Sequence, residues 1–152
     1  MEQKLKSGFS FNEDDLITFQ EGLFGFEEFK RFLPVSVEEN SDAVLSLQSV
    51  EDENLSFIIM NPFLLKEDYI PQLSEADKKA LGVEDDEELA YYVLCVARTP
   101  SEESTVNLKC PVVVNPNTRQ ARQVILEKGA YGFRHTLKEL SEEYMDKEGA
   151  SC

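Results

Sequence analysis

The sequence predicts a mainly β protein, a small antiparallel barrel-like domain with two or three short helices. Three observations lead there. Apolar and β-branched residues collect in runs of five to nine, bounded by Asn, Pro, Gly and acidic residues. No regular helix separates the later runs, which argues against a doubly wound α/β fold. A chain of 152 residues that is 41% hydrophobic is long enough for one core. At this size, folding buries roughly 70% of the surface that the unfolded chain exposes.

The strand signals appear in order. "AVLSLQSV" (43–50) alternates Val44, Leu45, Leu47 and Val50 with small polar residues, "LSFIIM" (55–60) is continuously apolar, and "LAYYVLCVA" (89–97) is longer and aromatic. "TVNLK" (105–109), "PVVVN" (111–115) and "ARQVILEK" (121–128) repeat the theme. The "NPNTRQ" between the last two supplies the Asn and Pro of a tight connection, so that pair reads as a hairpin. Pro111 has no N–H for a ladder and therefore marks an edge, a bulge or a strand start. With these strands go the expectations that Ile58, Val93, Cys95 and Val113 are buried.

The helices look short. Ser74 is a good N-cap, Asp77 follows three residues on and Gly82 stands after Leu81, so "SEADKKAL" should make about two turns. "GFEEFKRF" (25–32) spaces Phe26, Phe29 and Phe32 for one helical turn against a core. "TLKELSEEYM" (136–145) places Leu137, Leu140, Tyr144 and Met145 on one side, and "DKEGASC" reads as frayed. The expected organisation is one domain over 1–138 and a tail over 139–152 that is partly helical or frayed.

One junction stands out. A strand carrying Phe57, Ile58 and Ile59 cannot pass through Pro62 in a central position, so the chain leaves the sheet at Asn61-Pro62. It leaves with Phe63, Leu64, Leu65, Tyr69 and Ile70 attached. That density of apolar groups implies either a segment folded back on the core or a contact surface.

Charge narrows the function. Thirty acidic residues against 15 basic ones give a net of −15, which opposes nucleic acid and anionic membranes and favours a basic partner. The asymmetry is regional: no Lys or Arg lies between Arg31 and Lys66 or between Lys79 and Arg98, whereas residues 104–138 carry six cations against Glu127 alone. Sign asymmetry of this kind steers protein–protein encounter, although ion pairs inside the fold can absorb part of it.

Signals for chemistry are sparse. His135 is the one histidine, "EDDEE" (84–88) lacks the ligand spacing and glycine of a calcium loop, and Gly22 and Gly25 are not followed by a P-loop lysine. No metal or cofactor is expected. Cys95, Cys110 and Cys152 form an odd, unclustered set suited to a reducing compartment, with Cys95 read as core packing. With no apolar leader and no apolar run near 20 residues, the expectation is a cytoplasmic protein.

Three blocks carry a family resemblance: "FQEGLFGFEEFKRFLPV", "FIIMNPFLLKEDYIPQLSEADKKALGV", and "TVNLKCPVVVNPNTRQARQVIL" followed by "YGFRH". Over about residues 14–137 the chain resembles the flagellar assembly factor FliW family. The resemblance implies a small barrel-like protein that is not an enzyme. It further implies two cytoplasmic partners, flagellin and the RNA-binding translational repressor CsrA. On that reading, flagellin export frees the protein to hold the repressor off the flagellin message. Acidic charge docked beside an RNA-binding surface lowers RNA affinity without occupying the RNA site, so the expected route is non-competitive and charge-assisted. The sequence departs from the family pattern at Cys110, usually a small apolar residue, and at Thr136, often a proline.

The candidate partner-binding residues are Asn61, Pro62, Phe63, Leu64, Glu67 and Asp68 in the middle block, and Glu84, Asp85 and Asp86 in the acidic run. Asn107, Lys109, Asn115 and Pro116 add candidates from the third block. The apolar group is the candidate cover for flagellin's amphipathic terminal helices. Two other readings stay open: a ligand-binding barrel enzyme pairing His135 with Glu127 or Asp68, and an acidic nucleic-acid mimic.

Overall fold

The computed structural model describes the backbone of residues 2–4, 10–37 and 43–150, and the side chains of residues 12–37, 43–85 and 87–143. β1 (Glu2–Lys4) and β2 (Ser10–Asn12) pair as a separate antiparallel ribbon. Then follow β3 (Ile17–Phe19), β4 (Arg31–Ser36), β5 (Val44–Ser49), β6 (Ser56–Met60), β7 (Ala90–Val96), β8 (Thr105–Val106), β9 (Val112–Asn115), β10 (Gln120–Gln123) and β11 (His135–Thr136). Among the described residues three α-helices accompany them: α1 (Pro62–Leu65), α2 (Glu75–Ala80) and α3 (Leu137–Ala150).

Seven strands close a barrel in the order β7-β6-β5-β4-β3-β10-β9, with β9 returning to β7. Every pair in the ring is antiparallel except β3 with β10, which run parallel. One parallel pair is unavoidable, because strand direction cannot alternate all the way round an odd-numbered ring. β8 and β11 extend the sheet from the far half of β7, where Cys95 faces Val106 and Val106 faces His135.

β7 and β9 divide two cores. Ala90, Tyr92 and Leu94 pack with Val112 and Val114 into the barrel interior, beside Phe19, Phe32, Leu47 and Ile59. Tyr91, Val93 and Cys95 point the other way with Val113, under Tyr69, Leu73, Leu81 and Leu140. Covering both faces accounts for the continuously apolar sequence of these strands. Phe32 meets Phe19 edge-on at 5.5 Å and Phe57 at 5.9 Å. Such pairs add about 0.5–1.5 kcal/mol beyond the area they bury.

Several expectations need correction. Residues 25–32 form no helical turn. Gly22 and Gly25 have φ of +72° and +86°, and two tight turns carry the chain into β4. The three-residue spacing has another cause: Phe26 meets Phe57 edge-on, whereas Phe29 and Phe32 pack on the interior core. β4 itself lay hidden behind Pro34. Its pairing with β3 stops at Phe32, so the missing Pro34 N–H falls on an edge that no described strand occupies.

"TVNLK" is a strand only at Thr105 and Val106, because the Asn107 side chain accepts the Cys110 N–H at 3.0 Å and turns the chain. β10 ends at Gln123, short of residue 128. Ile58 and Cys95 are half-buried, opposite one another across β6 and β7, whereas Val93 and Val113 are fully buried. The tail is helical as far as Ala150, the end of α3, and Cys152 lies outside the described residues. The Tyr144 and Met145 side chains and that of Asp86 also lie outside them. Thr136, at the second departure from the family, caps α3 by accepting the Glu139 N–H at 3.0 Å.

Candidate partner-binding site

The break at Asn61-Pro62 builds a one-turn helix with defined ends. The Asn61 side-chain oxygen accepts the Phe63 N–H at 3.0 Å, Pro62 occupies the first helical position where its missing N–H costs nothing, and Lys66 N–H closes the turn on the Pro62 carbonyl at 2.8 Å. Pro62 is buried, while Phe63 is 41% and Leu64 69% exposed. The following turn sends Tyr69 inward and leaves Ile70 64% exposed. The departing segment therefore folds back and also presents a surface, with different residues for each.

Phe63 is held from below. Its ring lies 6.0 Å from Tyr69 and 5.9 Å from Tyr91, and Tyr69 meets Tyr131 edge-on at 4.7 Å. The Tyr131 hydroxyl accepts the Ile70 N–H at 2.9 Å. Burial pushes the Tyr69 phenol well above its ordinary pKa, so it stays a neutral donor. Lys66 reaches Asp68 at 3.3 Å and Glu143 of α3 at 3.0 Å. Partial burial would lower its pKa, but the two carboxylates outweigh that and raise it. Glu67 is exposed beside this pair. The result is an aromatic and aliphatic patch with acidic residues at one margin.

The other candidates fall in two places. Glu84 and Asp85 are exposed between α2 and β7, with Glu87 and Glu88 following, and the Asp85 carboxylate accepts the Glu87 N–H at 2.9 Å. Asn115 ends β9 at this same end, since Ala90 pairs with Val114. It is only 3% exposed, donating to the Leu81 carbonyl at 2.8 Å and accepting the Asn117 N–H at 3.0 Å. Its side chain therefore ties the hairpin to the end of α2 and does not face outward. Pro116, next in the chain, is exposed in the hairpin turn.

Asn107 and Lys109 lie in the loop between β8 and β9. Asn107 shapes that loop, and Lys109 donates its amine to the Leu126 carbonyl at 2.9 Å. Leu108, between them, accepts the Tyr69 hydroxyl, so this loop underlies the α1 surface. Sequence reading missed the supporting Tyr91 and Tyr131 as well as a second exposed aromatic feature, Phe24 and Phe26, 48% and 38% exposed. The signal for the latter was present: two phenylalanines around Gly25 sit on a turn, not in a core helix. There the Gly25 and Glu27 amides hold the Glu27 carboxyl below the usual range.

His135 has both ring nitrogens engaged. Gly132 N–H donates to Nε2 at 2.8 Å, which makes Nε2 the unprotonated nitrogen, and Nδ1 faces Glu139 at 3.3 Å. Neither Glu127 nor Asp68 is its partner. Among the described residues, no group of three or more His, Cys, Asp and Glu could hold a metal ion, and no helix is long and apolar enough to cross a membrane.

Fold and surface together define a small closed β-barrel protein that presents an anchored apolar turn. The FliW protein family model matches residues 1–137, and the chain belongs to the FliW family. It is 37% identical over 131 residues to the flagellar assembly factor FliW of Thermosipho africanus, covering 86% of this chain and 90% of that one. It is 39% identical over 126 residues to the factor of Exiguobacterium sp., covering 83% and 86%. A crystal structure of the flagellar assembly factor FliW superposes with a TM-score of 0.79 at 29% identity, over 90% of this chain and 96% of that one.

Proposed function

We propose that this protein is a cytoplasmic flagellar assembly factor, not an enzyme, that binds flagellin and, when free of it, a basic CsrA-like RNA-binding regulator. Family membership supports the flagellar role, since the relatives carry the name flagellar assembly factor. The observation that carries the flagellin assignment is the exposure of Phe63 and Leu64 on a turn anchored by Asn61, Pro62 and Lys66. Preorganised apolar side chains suit the apolar face of an amphipathic helix, because little ordering entropy is lost on docking.

Glu67, Asp68 and the exposed acidic run at Glu84, Asp85, Glu87 and Glu88 suit a partner that presents Lys and Arg to RNA. Negative potential placed beside such a surface weakens RNA binding without occupying the RNA site, which makes the antagonism non-competitive. Affinity purification from cells with and without flagellin tests the reading. Flagellin should be recovered from the first, and a small basic RNA-binding protein in greater yield from the second. Equal recovery of the regulator in both would remove the exchange between partners.

A further inference from the structure

A free backbone edge lies next to a groove that begins at Gln72, two residues past the exposed Ile70. Beyond β10 the chain stays extended and paired, since Val124 N–H donates to the Pro111 carbonyl at 3.0 Å and Leu126 N–H to the Lys109 carbonyl at 2.8 Å. In such a ladder the intervening residue turns its N–H and C=O to the opposite edge. β3 covers that edge as far as Ala121, which pairs with Phe19. Past Ala121 the turn at Phe24 reaches only the Gln123 side chain, whose oxygen accepts the Phe24 N–H at 2.9 Å. At Ile125 the cover ends. Its backbone groups have no partner among the described residues, and its side chain is 54% exposed.

Across a groove of about 190 Å³ runs the segment Gln72–Ser74. The Gln72 backbone also has no partner among the described residues. Leu73 and Ile125 supply apolar walls, and Asp77, Glu127 and Lys128 stand around them. Asp77 is held to Arg122 at 3.0 Å, whereas Glu127 has no ion-pair partner among the described residues. Open donors and acceptors on both walls match an extended strand better than a helix or a compact ligand.

We propose that this groove takes an extended segment of another protein, with aliphatic and basic residues alternating, which adds a strand at Ile125. The aliphatic side chain rests on Leu73 and Ile125, and the basic one approaches Glu127, whose carboxylate has no ion-pair partner among the described residues. This site goes beyond the flagellin reading and is independent of it.

The test is an amide NMR titration of the full chain with an acetylated, amidated hexapeptide of alternating lysine and valine. Shifts should fall on residues 72–77 and 123–128, and exchange of the Ile125 amide should slow. N-methylating the peptide's edge-facing amides should weaken binding about tenfold or more, since main-chain hydrogen bonds supply the affinity in this mode. Replacing its lysines by glutamates should also weaken it. Ile125→Pro, which removes the N–H, should weaken binding more than Ile125→Ala. If the proline variant unfolds, the N-methylated peptide reads out the same bond on the unaltered protein. Undiminished binding of the N-methylated peptide, shifts centred on α1, or no shifts at millimolar peptide would each overturn the proposal.

Discussion

The Tyr69 hydroxyl donates a 2.6 Å hydrogen bond to the Leu108 carbonyl, joining the segment that leaves the barrel at Pro62 to the loop between β8 and β9. Both residues are buried, and Tyr69 also supports the Phe63 ring. One phenol therefore links the exterior core to the underside of the proposed flagellin surface.

Tyr69→Phe tests that link. The ring stays but a buried carbonyl loses its donor, at a cost of about 1–3 kcal/mol. At roughly 2–4 °C per kcal/mol for a chain of this size, a thermal melt should fall by several degrees. An unchanged melting temperature would mean that water replaces the hydroxyl.

Changing Phe63 and Leu64 together to Ser separates surface from core. Both are substantially exposed, so loss of flagellin affinity should be roughly 2–4 kcal/mol, the scale of apolar anchors, with only a small change in melting temperature. Titration calorimetry against a flagellin terminal fragment, paired with a melt, measures both. A fall of more than about 10 °C would assign the pair to the core after all.

Reversing Glu84, Asp85 and Asp86 to Lys tests electrostatic steering of the basic regulator. The association rate should fall more than the dissociation rate rises, and the difference should shrink with salt as the Debye length drops below about 8 Å. Stopped-flow binding across a salt series checks this. An association rate indifferent to both salt and reversal would leave the acidic run as a solubilising surface.

Gly22→Ala and Gly25→Ala differ only in the space available. A Cβ on Gly22 would lie 2.5 Å from the Glu27 Cα, whereas one on Gly25 meets nothing within 4 Å. Both carry the left-handed backbone penalty of about 1–2 kcal/mol. Only the first adds a clash with main chain, worth roughly 1–3 kcal/mol more. Urea denaturation should rank Gly22→Ala clearly the more damaging, and equal midpoints would contradict the close approach.

The sequence by itself determined whatever depends on near neighbours. Strands β5, β6, β7 and β9 follow from apolar runs, the β9–β10 hairpin from its Asn and Pro, and α2 from Ser74 and Gly82. The exit at Pro62 follows from a missing N–H. Part of the candidate site was legible in the same way, because a run of apolar residues after a strand terminator has to be covered or used.

Only the tertiary structure decided where each side chain went. Phe63 and Tyr69 are both aromatic and six residues apart, yet one is presented and the other buried, because the Leu108 carbonyl and the Tyr131 ring lie at only one of those positions. Asn115, a candidate for partner contact from the sequence, is buried because the end of α2 lies within reach of its amide. Pairing β10 with β3, about a hundred residues apart in the chain, closes the ring and requires its one parallel contact. Local sequence carries periodicity, caps and breaks. Which face meets another element is set by contacts between distant segments, and these exist only once the barrel has closed.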